Sequence, residues 1–115
     1  MARVRVSCGG WLALALVLAA VPAAAQDLPG DPERGRALAV QRCARCHQVL
    51  PGSREPSAVG APAFQTVADD PAVSETALRA FLQTSHKDAP SVPLAPEETS
   101  DVVAYILGLK GWRPW

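Results

Sequence analysis

The chain has 115 residues, eleven Lys/Arg against eleven Asp/Glu for no net formal charge, and only three cysteines. That length suits a single domain, and a balance without a basic excess argues against nucleic acid as a partner. No nucleophile–base pair or paired-carboxylate arrangement stands out, so a self-sufficient enzyme is not expected; Asp69-Asp70 and Glu97-Glu98 fall at a turn and a helix start, where acids serve structure.

The first stretch reads as an address. Arg3 and Arg5 precede an apolar run, Trp11 to Ala20, and Ala23-Ala24-Ala25 supplies an A-x-A cleavage pattern before Gln26. This is the pattern of a secretory signal peptide over residues 1–25. The run falls short of the roughly 20 apolar residues a spanning helix needs, so no stable membrane insertion is expected after cleavage. Export to the periplasm is expected, and Cys8 leaves with the leader. Residues 26–115 then form one 90-residue domain with nine Lys/Arg against eleven Asp/Glu, a formal charge of −2. A domain of that size buries a marginal core unless something staples it.

Asp27–Gly30 is expected to be a frayed lead-in. Asp31-Pro32-Glu33 then predicts a helix start, with Asp as N-cap, Pro at the first helical position and an acid in the first turn. The helix is expected to run through Gly35, Leu38, Ala39 and Arg42. Gly35 costs about 1 kcal/mol relative to Ala inside a helix, which is accounted for if another helix approaches closely there. Gln48 to Ala63, rich in Pro, Gly and Ser, predicts a loop, and Phe64–Ala68 a short helical turn. Asp69-Asp70-Pro71 breaks that turn. Ser74 caps a helix from Glu75 to about Thr84, with Ala77, Leu78, Phe81 and Leu82 on one apolar stripe. Pro90, Pro93 and Pro96 make Ser85–Pro96 a loop. Pro96-Glu97-Glu98 opens the last helix with acids at its positive end, although Ala95 is a poor N-cap. Its buried face is Val102, Tyr105, Ile106 and Leu109, and Gly108 or Gly111 can end it. Trp112 and Trp115 either fold back as an apolar cover or form a contact surface. No strand pattern appears. The expected fold is all-α, three main helices separated by Pro/Gly-rich loops long enough to wrap a cofactor.

Between the first helix and the first loop lies Cys43-Ala44-Arg45-Cys46-His47. C-x-x-C followed at once by His is the attachment signature of a c-type haem. The two thiols and the imidazole fall at i, i+3 and i+4, positions that share a face in one helical turn and can meet a single flat macrocycle. Cys43 and Cys46 are thus the expected haem-binding residues and His47 the expected axial ligand of iron. Other readings of C-x-x-C are a thioredoxin-like pair, which lacks its βαβ context here, a zinc site using Cys43, Cys46, His47 and His86, and a simple exported disulfide.

Over roughly Gly35 to Leu109 the chain resembles a class I cytochrome c. The residues that carry the resemblance are Gly35-Arg36-Ala37-Leu38 leading into Cys43–His47, then Gly60-Ala61-Pro62-Ala63-Phe64, then Asp101-Val102-Val103-Ala104-Tyr105-Ile106. The resemblance implies a small cytochrome c-like fold around one covalent haem c. It implies that Gly35 packs against the Ala104/Tyr105 region, and that a backbone carbonyl in the Pro62 loop accepts the Nδ1 proton of His47. Electron transfer with redox proteins of the periplasm is the implied function, and Arg42, Arg45 and Lys87 are candidates to rim the haem edge.

One departure from that family stands out. Its usual sixth ligand is a Met in the loop before the last helix, and this loop reads His86-Lys87-Asp88-Ala89-Pro90-Ser91-Val92-Pro93-Leu94, with Ala89 at the Met position. The only Met in the chain is Met1. Three outcomes follow: His86 as a second axial ligand, a five-coordinate or water-ligated iron, or Lys87, whose burial and deprotonation are costly. The candidate functions are an electron carrier, a haem protein that binds or senses a diatomic ligand at the site left vacant by Ala89, or a haem subunit docked on a periplasmic oxidoreductase with Trp112 and Trp115 in the contact.

Overall fold

The structure, a computed structural model, describes residues 29–84 and 93–114. Residues 1–25, His86, Lys87, Ala89 and Trp115 lie outside the described residues. Among the described residues there are four α-helices and no strand: α1 Pro32–Leu38, α2 Phe64–Asp69, α3 Glu75–Leu82 and α4 Pro96–Gly108. The short turn expected at Phe64 is thus a helix in its own right.

Each start follows from local chemistry. Asp31 accepts from the amides of Glu33 (2.9 Å) and Arg34 (3.3 Å) through Oδ1, the N-cap arrangement that satisfies otherwise orphan donors. Ser74 Oγ accepts from Ala77 N at 3.2 Å. Ala95 has no side-chain acceptor to offer, and α4 uses only the return half of a capping box: Glu98 Oε2 accepts from Ala95 N at 3.0 Å.

α4 is the element on which the others pack. α1 makes the main contact with it, and α2 and α3 join on its remaining sides. The expected face, Val102, Tyr105, Ile106 and Leu109, is buried, together with Thr99, Ser100, Asp101 and Val103. Gly35 sits over α4, where a Cβ would overlap the carbonyl of Asp101 and come within 2.9 Å of Tyr105 Cβ. The predicted close approach is therefore real, centred on Asp101 and Tyr105. The lead-in is not frayed throughout: Gly30 packs against the Ser100 carbonyl just as closely. On α3 only Leu78 is buried; Leu82 is half-buried, and Ala77 and Phe81 are exposed, so the apolar stripe touches α4 along one edge.

The first helix departs from expectation in its second half. α-helical bonding ends at Leu38, and Ala39–Cys43 form a π-helical turn in which Ala44 N donates to Ala39 O at 3.0 Å. Such wide turns occur mostly as single turns and frequently at functional sites. Nothing in this run of ordinary helix formers announces one. Ala39 stays fully buried and Cys43 packs at the edge of the core.

Buried Gln65 joins three segments. Its Nε2 donates to Leu109 O (2.7 Å) and Asp69 Oδ2 (3.1 Å), while its Oε1 accepts from Gly52 N (3.1 Å). Gly52 adopts φ +83, and a Cβ there would lie 2.6 Å from the Trp112 ring. Trp112 therefore folds back over the first loop rather than standing outward. Among the described residues no buried side-chain polar atom lacks a partner.

Asp69 holds the C-terminal end. The Gly111 amide, the Gln65 side chain and the Arg54 guanidinium all donate to it, and in that order they hold its carboxyl down at about 2. A carboxylate whose pKa is lower folded than unfolded (about 3.9) contributes stability that is complete above the unfolded value. That contribution is lost as pH falls through the folded one. Urea midpoints of the wild type are therefore expected to drop between about pH 4 and pH 2. Asp69→Asn should be less stable at neutral pH and flatter across that window; superimposable acid profiles for the two would refute the assignment.

Candidate haem-attachment site

Cys43 closes the π-helical turn, and its carbonyl accepts from both Cys46 N (3.0 Å) and His47 N (2.9 Å). One backbone oxygen thus ties all three candidate residues into a single turn, as their spacing predicts. Both thiols are free and half-buried. Burial pushes the Cys43 thiol up, with Arg42 pulling weakly the other way. Among the described residues no cluster of three or more His, Cys, Asp or Glu is placed to hold a metal ion.

The imidazole is oriented from two sides. His47 Nδ1–H donates to the Pro62 carbonyl at 2.7 Å, a bond to a group that can only accept, so Nε2 carries the lone pair in the neutral ring. The ring also lies against Phe64, centroids 5.3 Å apart at an interplanar angle of 51°.

The backbone after His47 is anchored in turn. Gln48 O accepts from Phe64 N at 2.9 Å, and Val49 O accepts from the buried Tyr105 hydroxyl at 2.7 Å. Tyr105 was legible in the sequence as a core residue of α4, but its bond to the strap behind the histidine was not. The loop that supplies Pro62 is also built by its own bonds: Ser57 N donates to Ala61 O (3.0 Å) and Gly60 N to Ser57 O (2.8 Å).

Two charged residues act differently from expectation or went unnoticed. Arg42 is an ion-paired cation: its guanidinium pairs with both Glu98 carboxylate oxygens (3.0 and 3.1 Å) and reaches Pro93 O (3.3 Å). It clamps the attachment turn to the start of α4, and Glu98 neutralises it. Arg45 is exposed. Asp101, 5 % exposed, accepts from Asp31 N (2.7 Å) and from Arg34 Nε (3.0 Å). The Arg34 bond is the main reason its carboxyl is held below the usual range. The signal for this anchor was present: an acid one helical turn before Tyr105, on the face that meets Gly35.

These residues fit a covalent haem. The site offers two free thiols on one turn, an imidazole held with Nε2 as its acceptor, and a core whose apolar margin includes Cys43, Val67, Leu82 and Leu94. An apolar disc held there would cover side chains that the helices alone leave half-buried.

The cytochrome c family model matches residues 32–110 of the chain. Cytochrome c-552 of Bradyrhizobium diazoefficiens is 38 % identical over 97 residues, covering 84 % of this chain and 92 % of that protein. No solved structure gives a significant match. Among the described residues no helix is long and apolar enough to cross a membrane.

Proposed function

Because this chain belongs to the cytochrome c family, whose members carry a covalent haem c and pass electrons to redox partners, we propose that it is an exported, periplasmic monohaem electron carrier. It has no catalytic turnover of its own. Cys43 and Cys46 would hold the group through thioether bonds, which the addition of a thiol S–H to a vinyl group forms without an oxidant or a leaving group, and His47 would ligate the iron through Nε2. The bound group supplies a one-electron ferric/ferrous couple. The residues supply its setting. The Pro62 carbonyl keeps the imidazole in one tautomer and orientation and raises its basicity, and the anchored Gln48 and Val49 carbonyls hold the strap against recoil. The signal-peptide pattern of residues 1–25 supports export.

The observation that carries this reading is the 2.7 Å bond from His47 Nδ1 to Pro62 O. It prepares Nε2 as a ligand in the residue that follows C-x-x-C. The test is expression of the full chain in a host with haem-attachment machinery, followed by denaturing extraction and mass measurement. One haem is expected to stay with the polypeptide. Cys43→Ser with Cys46→Ser should release all of it, and His47→Ala should change the absorption spectrum. Haem that extracts freely from the wild type would overturn the proposal.

A further inference from the structure

The outer torsion of a His side chain, between an sp³ carbon and the ring, is broad and only weakly held by its own rotamer preference. The bond from His47 Nδ1 to Pro62 O, 2.7 Å, fixes where Nδ1 points. It leaves the tilt of the ring about that line to other contacts. Pro62 is itself exposed, on a loop held by its own turn bonds. The plane of the imidazole therefore needs a second contact, on a firmer part of the fold.

Phe64 supplies it. Its ring lies 5.3 Å from the imidazole, centroid to centroid, at an interplanar angle of 51°, within the range where tilted aromatic pairs attract. Phe64 is 5 % exposed and belongs to the core cluster, packed too closely to follow a moving neighbour. Its amide donates to Gln48 O at 2.9 Å, so the same residue holds both the imidazole and the backbone directly after it. The next residue is Gln65, tied to Leu109 O, Asp69 and Gly52 N. Phe64 is thus a wall anchored in α2 and, through Gln65, to the C-terminal end of the core.

We propose that Phe64 is a positioning residue for the axial ligand: its ring sets the plane in which the His47 imidazole meets the iron. The proposal deepens the reading of Cys43, Cys46 and His47 as a haem site and rests on it. The π system of an imidazole is not symmetric about its bond to a metal, so the plane it adopts decides which iron orbitals it overlaps. Ring orientation is one of the means by which groups around a ligand tune the metal.

The probe is cyanide, added to ferric holo-protein whose covalent haem has first been verified by denaturing extraction. Cyanide fills the position opposite His47 alike in every variant, so the spread of the haem methyl proton shifts reports the imidazole plane. Phe64→Leu keeps an apolar side chain but removes the flat ring, and it is expected to change that spread and the order of the methyl signals. Phe64→Tyr keeps the ring and should keep the wild-type pattern. Val103→Ala is the control for a loosened core. Val103 is buried on α4 and lines a cavity with Gly30 and Arg79, so the melting temperature should fall with the methyl pattern unchanged. A wild-type pattern in Phe64→Leu would overturn the proposal, and so would an equal change in Val103→Ala. A nuclear Overhauser contact between Phe64 and His47 protons is expected in the wild type, and its absence would overturn the proposal without any variant. Haem lost on extraction is a different failure, that of the attachment site.

Discussion

The midpoint potential of the holo-protein is expected to lie below that of a His/Met-ligated cytochrome c titrated beside it. Met opposite His raises a haem's reduction potential, because a soft, neutral thioether favours ferrous over ferric iron. Here the sole Met stands at position 1, ahead of the A-x-A pattern at Ala23–Ala25. On the proposed removal of residues 1–25, Met1 leaves with the leader, and water, His86 or Lys87 is left to face His47, none of them a sulfur donor. Axial ligands move haem potentials over about 0.8 V, and a fall on the order of 0.1 V or more is expected within that span. A spectroelectrochemical titration at neutral pH measures it directly. A value equal to or above the His/Met reference would contradict a nitrogen or oxygen ligand. The physical meaning is a carrier matched to donors of lower potential, since an electron leaves readily only toward a couple of higher potential.

Gly35→Val is expected to be the most damaging substitution away from the haem ligands. A Cβ at Gly35 overlaps the Asp101 backbone carbonyl, and Tyr105 Cβ lies 2.9 Å away. Backbone on one helix cannot rotate out of the way as a long side chain can, so α1 and α4 must separate along their main contact. Overpacking of this kind costs about 3 kcal/mol at the upper end of its usual range. For a domain of this size each kcal/mol moves Tm by about 4–8 °C, so a fall of about 12–24 °C is expected. The same shift pulls on two long-range ties, Asp101 to Asp31 N and Arg34, and Tyr105 to Val49 O. The second of these lies two residues from His47, so altered haem absorption should accompany the lost stability. Ala37→Val on the exposed side of α1 is the control, expected to cost under about 1 kcal/mol through helix propensity alone. Equal melting temperatures for the two variants would refute the close-packing role of Gly35.

Arg42 shows that a residue's chemistry is legible where its partners are not. Its position beside Cys43 suggested a cation at the haem edge, and only the fold brings Glu98 and the Pro93 carbonyl within 3.0–3.3 Å of it. Trp112 is similar. The sequence left it equally suited to cover or to contact, and the positive φ of Gly52 turns the loop beneath its ring. Gln65 carried no signal at all. A polar residue in a short helix looks like surface, yet it is fully buried because Leu109 O, Asp69 and Gly52 N converge on it.

What the sequence alone determined about this protein is its local chemistry. Asp31, Ser74 and Pro96 mark helix starts because caps and proline act within one turn. Cys43, Cys46 and His47 read as a haem attachment because three donors at i, i+3 and i+4 must share a face. That the chain's one thioether is Met1, ahead of the A-x-A pattern, is a matter of composition. Only the tertiary structure decided the π-helical turn over Ala39–Cys43, the burial of Asp101 against Arg34, the Gln65 hub, and the Tyr105–Val49 bond behind His47. Gln65 and Leu109, Tyr105 and Val49, and Asp101 with Arg34 and Asp31 stand 44 to 70 residues apart in the chain. No spacing rule reaches that far, because such contacts exist only once α4 has gathered the other helices around it.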